Sequence, residues 1–462
     1  MKILLIVYDN DSYISWFPQG IAYIASVCKN AGHEVKIYNQ DVYHWPESHL
    51  LELLNRERFD VVGVGACGGY YQYRKILKIS EAVNKSKNRP YYILGGHLAS
   101  PEPEFFLKKM KADTVVIGEG EVTILELLDA LESKKSLRNV KGIAYLENGH
   151  YVRTEERPLI ENIDKIPLPA YDMFPMDHYA LLRLPNIKSS ERCMPVLSGR
   201  GCTFKCNFCY RMDKGFRPRS SESIIEEIQL LKRDYNISYI AFSDELLMSS
   251  VDRTVELCES FLKAGLNIKW DCNGRLNYAK PDVLKLMKKA GCVFINYGIE
   301  SMDEQALKNM NKALTVKQII EGVENTLEVG ISPGLNIIFG NIGENAESLQ
   351  KGVDFLLKYD DHAQMRTIRP VTPYPGSPLY YHAIEKGLLK DCEDFYENKH
   401  LNSDLVAVNF TDMDEEEYYN ALFEANKVLI ENYYKAQLER SMESARRLYC
   451  ERDVNFRGFR QS

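Results

Sequence analysis

The chain sets three cysteines on one short loop, Cys202, Cys206 and Cys209, in the run Ser198-Gly199-Arg200-Gly201-Cys202-Thr203-Phe204-Lys205-Cys206-Asn207-Phe208-Cys209-Tyr210. The loop follows Pro195-Val196-Leu197, an apolar run that reads as a buried strand, so the C-x3-C-x2-C cluster lies at a strand end. Three thiolates converging there suit a cubane [4Fe-4S] cluster, which normally takes four cysteines, and one iron is left open for chemistry. Zinc is the rival reading, because C-x2-C is also a zinc spacing and Cys193 offers a fourth thiolate. The segment after Cys209 has no second C-x2-C and no histidine before His362, which disfavours the paired layout of a structural zinc site.

A length of 462 residues with 45% hydrophobic content predicts two to three domains with sizeable cores. The formal charge of -7 and a pI near 5.9 exclude a general nucleic-acid binder. Locally, Arg211, Lys214, Arg217 and Arg219 form a basic stretch that either meets an anionic ligand or is a solvated loop. No apolar run reaches the roughly 18 residues that span a bilayer. The opening Met1-Lys2-Ile3-Leu4-Leu5-Ile6-Val7-Tyr8-Asp9 is too short for a signal-peptide core, and 11 cysteines without an export signal point to a reducing cytoplasm.

Residues 1–137 alternate apolar runs with amphipathic stretches, predicting strands at 3–8, 34–38, 61–66, 91–94 and 114–117 with helices between them. This is the pattern of a doubly wound, Rossmann-like (flavodoxin-like) α/β domain with its ligand at the carboxyl ends of the strands. Gly63, Gly65, Gly68, Gly69, Gly95, Gly96, Gly118 and Gly120 fall at those ends, but no G-x-G-x-x-G is present, so a nicotinamide site is poorly supported. Residues 138–190 read as a linker, with a hairpin around Asn148-Gly149 and prolines that strap one domain to the next. From 191 to 378 the alternation resumes, with strands at 195–198, 239–243, 268–271, 293–297, 335–339 and 364–368, a partial (β/α)6 TIM-type barrel. Its strand ends carry Ser243-Asp244-Glu245, Asn273-Gly274-Arg275, Glu300-Ser301, Asn341 and Arg369. Residues 379–462 read as mostly helical, with the longest stretches at 415–431 and 433–447, and are expected to cover the open barrel.

The cysteine spacing, with Phe208 just before the third cysteine, resembles the signature of the radical S-adenosylmethionine (radical SAM) superfamily. Phe17-Pro18-Gln19-Gly20-Ile21-Ala22-Tyr23-Ile24-Ala25, Ala31-Gly32-His33-Glu34-Val35, Leu94-Gly95-Gly96-His97 and Val116-Ile117-Gly118-Glu119-Gly120-Glu121 resemble the cobalamin-binding domain of its class B members. That class includes B12-dependent methyltransferases and the anaerobic magnesium-protoporphyrin monomethyl ester cyclase type. The resemblance implies a [4Fe-4S] cluster on Cys202, Cys206 and Cys209, chelated by SAM and cleaving it reductively to a 5'-deoxyadenosyl radical. Ser243-Asp244-Glu245 occupies the place of the motif that holds the SAM amino group and departs from the commoner Gly-Gly-Glu. Glu300, in Tyr297-Gly298-Ile299-Glu300-Ser301, is implied at the SAM ribose or amino acid, and Arg275 is a further cofactor-binding candidate. Gly340 and Asn341, in Ile338-Phe339-Gly340-Asn341-Ile342-Gly343-Glu344, are implied along the adenine, although Asn341-Ile342 stands where Leu-Pro is usual. The bland alternative is that these acids cap the helices after each strand.

Cobalamin is implied by domain similarity alone, because the D-x-H-x-x-G motif of other B12 proteins is absent. Gly65, Gly68, Gly95, Gly96, Gly118 and Glu119 are its candidate contacts, and Cys67, Tyr70 and Tyr71 are placed to face the corrin or to pack. The other reading is a domain that keeps the fold without the cofactor. The implied activity is cobalamin-dependent methyl transfer to an unactivated carbon. The alternatives are radical cyclisation or rearrangement without methylation and, in another class, a non-catalytic cobalamin or metal sensor. The implied partners are a small-molecule or peptide substrate and an external one-electron reductant such as flavodoxin or ferredoxin, with no nucleic acid.

Overall fold

A computed structural model describes residues 1–184 and 186–456. The first domain is a sheet of β1 (Lys2–Val7), β2 (Glu34–Asn39), β3 (Val61–Gly65), β4 (Tyr91–Gly95) and β5 (Thr114–Val116), all parallel, in the order β2-β1-β3-β4-β5. This is the flavodoxin-like order, whose ligand crevice opens where the winding reverses, between the carboxyl ends of β1 and β3. Successive side chains point to opposite faces. Ile3 and Leu5 therefore join the helices Gln19–Asn30 and Glu121–Glu132 in one core, while Leu4 and Ile6 join Glu47–Arg56, Tyr70–Lys85 and Pro103–Met110 in the other. Gly96 is demanded by the fold: its φ is +84°, and a Cβ there would stand 2.7 Å from the Ala66 carbonyl.

The expected hairpin forms as β6 (Ile143–Glu147) and β7 (His150–Arg153), with Asn148 and Gly149 at φ of 51° and 80° as a type I' turn requires. It is not a free connector, however. β6 pairs antiparallel with β5, so the unit expected over residues 1–137 gains two strands from the linker expected over 138–190.

The second domain is one parallel sheet of six strands in chain order: β8 (Cys193–Val196), β11 (Tyr239–Phe242), β12 (Lys269–Gly274), β13 (Cys292–Glu300), β14 (Ser332–Phe339) and β15 (Arg369–Pro370). Between β8 and β11 lies a small ribbon, β9 (Gly199–Arg200) against β10 (Arg217–Pro218), which closes the neck of the cysteine loop. A Cβ at Gly199 would strike Phe216 and the Arg217 carbonyl, and Gly201 has φ +84°, so the Gly-Arg-Gly before Cys202 lets this ribbon close. The sixth strand is short and lies after the expected 364–368. There Arg366 is instead drawn back to Asp360 and Asp361 at 2.7 and 2.8 Å.

The C-terminal region departs from expectation. Helix Pro378–Glu385 and the turn Phe395–Lys399 pack into the first domain, where Tyr396 stacks on Tyr73 at 4.6 Å and the Tyr73 hydroxyl donates to Glu397 at 2.5 Å. The two helices expected at 415–431 and 433–447 are a single helix, Glu415–Ala445, because Asn432 turns its amide outward to His362 at 3.0 Å instead of competing for the helix backbone. This helix packs beside the end of β14, with Tyr418 stacked on Phe339 at 5.0 Å.

The two domains are joined by buried charge. Arg200 of the ribbon meets Glu119 at 2.8 Å and Glu121 at 2.6 Å, and Arg217 meets Glu119 at 2.9 Å. Glu119 also accepts the Ile160 N–H at 2.8 Å. Burial pushes the Glu119 pKa up, but Arg217, the Ile160 amide and Arg200 outweigh it and hold the carboxyl below its usual range. Glu119, expected as a cobalamin contact, is thus engaged as an interdomain anchor. Arg217 and Arg219 are not a solvated loop, since Arg217 is paired with Glu119 and Arg219 with Glu227. Removing one partner of a buried pair strands the other charge, so Glu119→Ala is expected to cost roughly 3 kcal/mol in chemical denaturation of the full chain. Because the Glu119 pKa is depressed in the folded state, its contribution is present above the unfolded carboxyl pKa and fades as pH falls below about 4.

Candidate active site

The cysteine loop stands over the carboxyl ends of the barrel strands. Asn207 fixes its middle: its amide N–H donates to the Met310 carbonyl at 2.9 Å, and its side chain makes a reciprocal pair with Asn341, both bonds 3.0 Å. The Asn311 side chain donates to the Lys205 carbonyl at 2.9 Å, and the Leu379 N–H to the Asn207 carbonyl at 2.8 Å. Asp244, 1% exposed, accepts the Ser198 N–H at 2.8 Å and the Ser198 hydroxyl at 2.5 Å, securing the strand from which the loop departs.

All three thiols are free. Cys206 and Cys209 share a hydrogen bond, which pulls Cys206 down, helped by the nearby Lys312 charge, and Cys209 up, while desolvation holds the half-buried Cys202 up. Among the described residues no three His, Cys, Asp or Glu side chains are grouped closely enough to hold one metal ion. Cys193 packs with Leu182, Tyr239 and Ala241 and does not complete a zinc tetrahedron. Three soft donors on one loop fit a polynuclear iron-sulfur cluster, in which each thiolate takes its own iron.

Below the loop is a cavity of about 390 Å³, lined by Cys202, Cys206, Phe208 and Cys209 together with Glu245, Arg275, Glu300 and Lys312. The volume is within the range of small-molecule sites, roughly 300–1,000 Å³. Glu300 ends β13 at a bulge, with φ 70°, an unusual backbone for a side chain of its size, and its carboxylate meets buried Lys312 at 2.8 Å. Arg275 lies over the Phe204 ring at 3.4 Å and donates to the Ala313 carbonyl at 2.8 Å, but its buried Nε has no partner among the described residues. An unpartnered guanidinium donor in a cavity is a place for an anionic ligand group. Glu245 reaches back to the Gly201 N–H at 3.2 Å.

Sequence reasoning missed the asparagine ladder on the cavity wall. Asn336 donates to Asn296 at 2.7 Å, Asn296 to Asn273 at 3.0 Å, and Asn273 to the Asp244 carbonyl at 2.8 Å. The available signal was one asparagine in each of three successive strands, four residues before Glu300 and Gly340 in two of them, but register was needed to align them. Other expected contacts stand elsewhere. Ser243 donates to Gln19 of the first domain at 2.6 Å. Gly340 and Asn341 are buried, and neither lines this cavity. A Cβ at Gly340 would strike Tyr418, and Asn341 holds the cysteine loop through Asn207.

The strand ends of the first domain face this site. His97, after β4, meets Tyr210 edge-to-face at 6.1 Å, and a Cβ at Gly376 would touch both Tyr210 and Pro101. Gly65 pairs with Gly95 across β3 and β4, Gly68 lies beside Tyr374 and Tyr396, and a Cβ at Gly118 would meet nothing within 4 Å. Cys67 and Tyr71 are exposed on the same side, at the switch point between β1 and β3, and Tyr70 is half-buried. Open, glycine-edged strand ends at the reversal of winding suit a broad planar ligand laid across them.

A flavodoxin-like domain stacked on a cysteine-bearing partial barrel defines a class of two-domain cofactor enzymes. Residues 196–356 match the family model described as the radical SAM superfamily, and residues 6–128 match the B12 binding domain. The chain is 33% identical over 401 residues to "uncharacterized methyltransferase PH0819" of Pyrococcus horikoshii, covering 84% of each chain. It is 26% identical over 392 residues to an anaerobic magnesium-protoporphyrin IX monomethyl ester cyclase of Rubrivivax gelatinosus, covering 82% of this chain and 69% of that one. The fold is that of the cobalamin-dependent SAM radical enzyme OxsB, with TM-score 0.75 and 18% identity over 96% of this chain and 71% of that one. It is also that of the radical SAM methyltransferase TsrM from Kitasatospora setae, with TM-score 0.74 and 17% identity over 93% and 89%. The chain belongs to the B12-binding-domain radical SAM enzymes, whose cofactors are a [4Fe-4S] cluster, SAM and cobalamin.

Glu344 ties the loop after β14 together by accepting the N–H groups of Gly340 and Asn341, both at 3.0 Å, and the Ser301 hydroxyl at 3.0 Å. Burial outweighs these donors and pushes its carboxyl up to about 7. A carboxyl pKa raised on folding favours the folded state at low pH and loses that advantage as pH rises from the unfolded value, about 4.3, through the folded one. Glu344→Gln is therefore expected to flatten the decline of stability between about pH 4 and pH 7, read from denaturation midpoints across that window.

Proposed function

We propose that this chain is a cobalamin-dependent methyltransferase that acts through radical SAM chemistry on an unactivated carbon of a small-molecule or peptide substrate. The observation that carries this reading is the meeting of the two ligand-bearing edges, with His97 of the first domain against Tyr210 of the cysteine loop at 6.1 Å. When bound, the cluster and SAM supply one-electron bond cleavage, and cobalamin supplies a carrier for the methyl group. This chain's own groups bind, orient and exclude water. In this reading Cys202, Cys206 and Cys209 hold the cluster, and Phe208 lies beside it. Glu245 and Glu300 receive the ammonium and hydroxyl groups of SAM, and Arg275 receives its carboxylate. The asparagine ladder offers a neutral hydrogen-bonding wall to whatever lies in the barrel. Gly65, Gly68, Gly95 and Gly118 edge the cobalamin side, and the stacking of the domains keeps the reacting volume dry. The first functional unit runs to Arg153 in this reading, and the barrel unit from Cys193 to Pro378.

Ring closure without net methylation is the second reading, favoured by the likeness to the Rubrivivax gelatinosus cyclase. Cobalt per chain, measured after anaerobic purification, cluster reconstitution and incubation with hydroxocobalamin, tests methyl transfer. Near-stoichiometric cobalt is expected; its absence beside an intact cluster would overturn methyl transfer. Cys206→Ala is expected to remove the cluster's visible absorbance and to bring 5'-deoxyadenosine formation to background. For Glu300→Gln, loss of one charge-assisted contact of about 1.5–3 kcal/mol predicts SAM binding weakened roughly ten- to a hundredfold at unchanged iron content, measured by calorimetric titration.

A further inference from the structure

Most of the cysteine loop is covered. Tyr210 lies against His97 and Gly376, Asn207 against Asn341 and Leu379, and Arg200 against Glu119 and Glu121. One edge remains outward: Thr203 and Lys205 are exposed, as are Lys214, Lys308 and Asn311 beside them. A backbone bridge and two hydrogen bonds tie these residues into one rim. Cys202 bridges to Lys214, the Lys205 carbonyl accepts from Asn311, and the Asn311 N–H donates to the Lys308 carbonyl at 3.0 Å. Among the described residues, Lys205, Lys214 and Lys308 make no ion pair, whereas Arg200, Arg217, Arg219 and Arg275 near the same loop are paired or bonded inward. Three free ammonium groups thus ring the exposed edge of the cluster loop on a chain whose net charge is -7.

We propose that this rim is the docking surface for an acidic one-electron carrier protein, which passes its electron to the cluster across the Thr203–Lys205 edge. The proposal rests on the radical SAM reading of the loop. In the transfer the carrier is oxidised by one electron and the cluster reduced by one, and no bond forms or breaks. An overall acidic enzyme repels an acidic carrier, so a local basic rim both steers the encounter and selects the face on which it occurs. The lysines act on docking alone and touch neither SAM nor the reacting carbon. The short path to the cluster follows from the loop itself, since Lys205 precedes Cys206 and Lys214 bridges Cys202.

The test is stopped-flow reduction of the reconstituted, cluster-loaded protein by reduced flavodoxin, followed at the flavin absorbance, with dithionite reduction of the same sample in parallel. The triple variant Lys205→Glu, Lys214→Glu, Lys308→Glu is expected to slow flavodoxin-driven reduction at least about tenfold and to leave dithionite-driven reduction unchanged. The control Lys87→Glu, at the amino end of β4 and away from the barrel, is expected to behave as wild type. Wild-type reduction by flavodoxin should also slow as salt is raised past 0.1 M, where the screening length is about 10 Å. This readout does not depend on any variant folding. A triple variant within about twofold of wild type, an equal loss in Lys87→Glu, or a salt-independent wild-type rate would each overturn the docking assignment. A sample that never takes up the cluster would instead overturn the radical SAM reading beneath it.

Discussion

The buried charges at the seam between the two domains set the geometry on which the rest of the structure depends. Arg200 and Arg217 belong to the ribbon that forms the neck of the cysteine loop, and both reach into the first domain to Glu119, with Arg200 also holding Glu121. The same side chains therefore close the loop and dock the flavodoxin-like domain on it. A buried ion pair contributes little net stability compared with a hydrophobic contact, but an unpaired buried charge is costly, so alternative placements of the domain are penalised. Orientation follows from this, and orientation is what brings the strand ends beside the cluster loop.

A second layer of constraint comes from neutral amides. Asn207 and Asn341 clasp the cysteine loop to the loop after β14, and Glu344 ties that loop to itself and to Ser301. The asparagines at 273, 296 and 336 extend this bonding across three neighbouring strands toward Asp244, which in turn holds Ser198. Each member of such a network is oriented by the next, so the cavity wall is rigid before any ligand arrives. The C-terminal residues complete the frame by splitting their packing, with Tyr396 buried in the first domain and Tyr418 against the barrel. One segment thereby ties both domains from outside the site.

Local pattern was sufficient wherever chemistry or periodicity is local. The cysteine spacing, the apolar runs of both sheets and the Asn148-Gly149 turn each depend on neighbours in the chain, and the strands of the first sheet stand within a residue or so of their expected places. The sixth barrel strand and the long C-terminal helix were misjudged because distant partners decided them, namely Asp360 and Asp361 for Arg366 and His362 for Asn432.

By itself, then, the sequence determined that a strand end would carry three thiols, that a flavodoxin-like unit would precede a partial barrel, and which class of cofactors those parts hold. Tertiary structure alone decided the roles of Glu119, Ser243, Gly340 and Asn341, which seal or brace the assembly without lining the cavity. It alone assembled Arg275, Lys312 and the asparagine ladder around that cavity, and it left the Lys205 edge open to solvent. The physical reason is that spacing along a chain fixes what a loop can ligate. Whether an acid meets a ligand or an arginine depends on desolvation and on charges brought from a hundred residues away, and those exist only once the domains are packed.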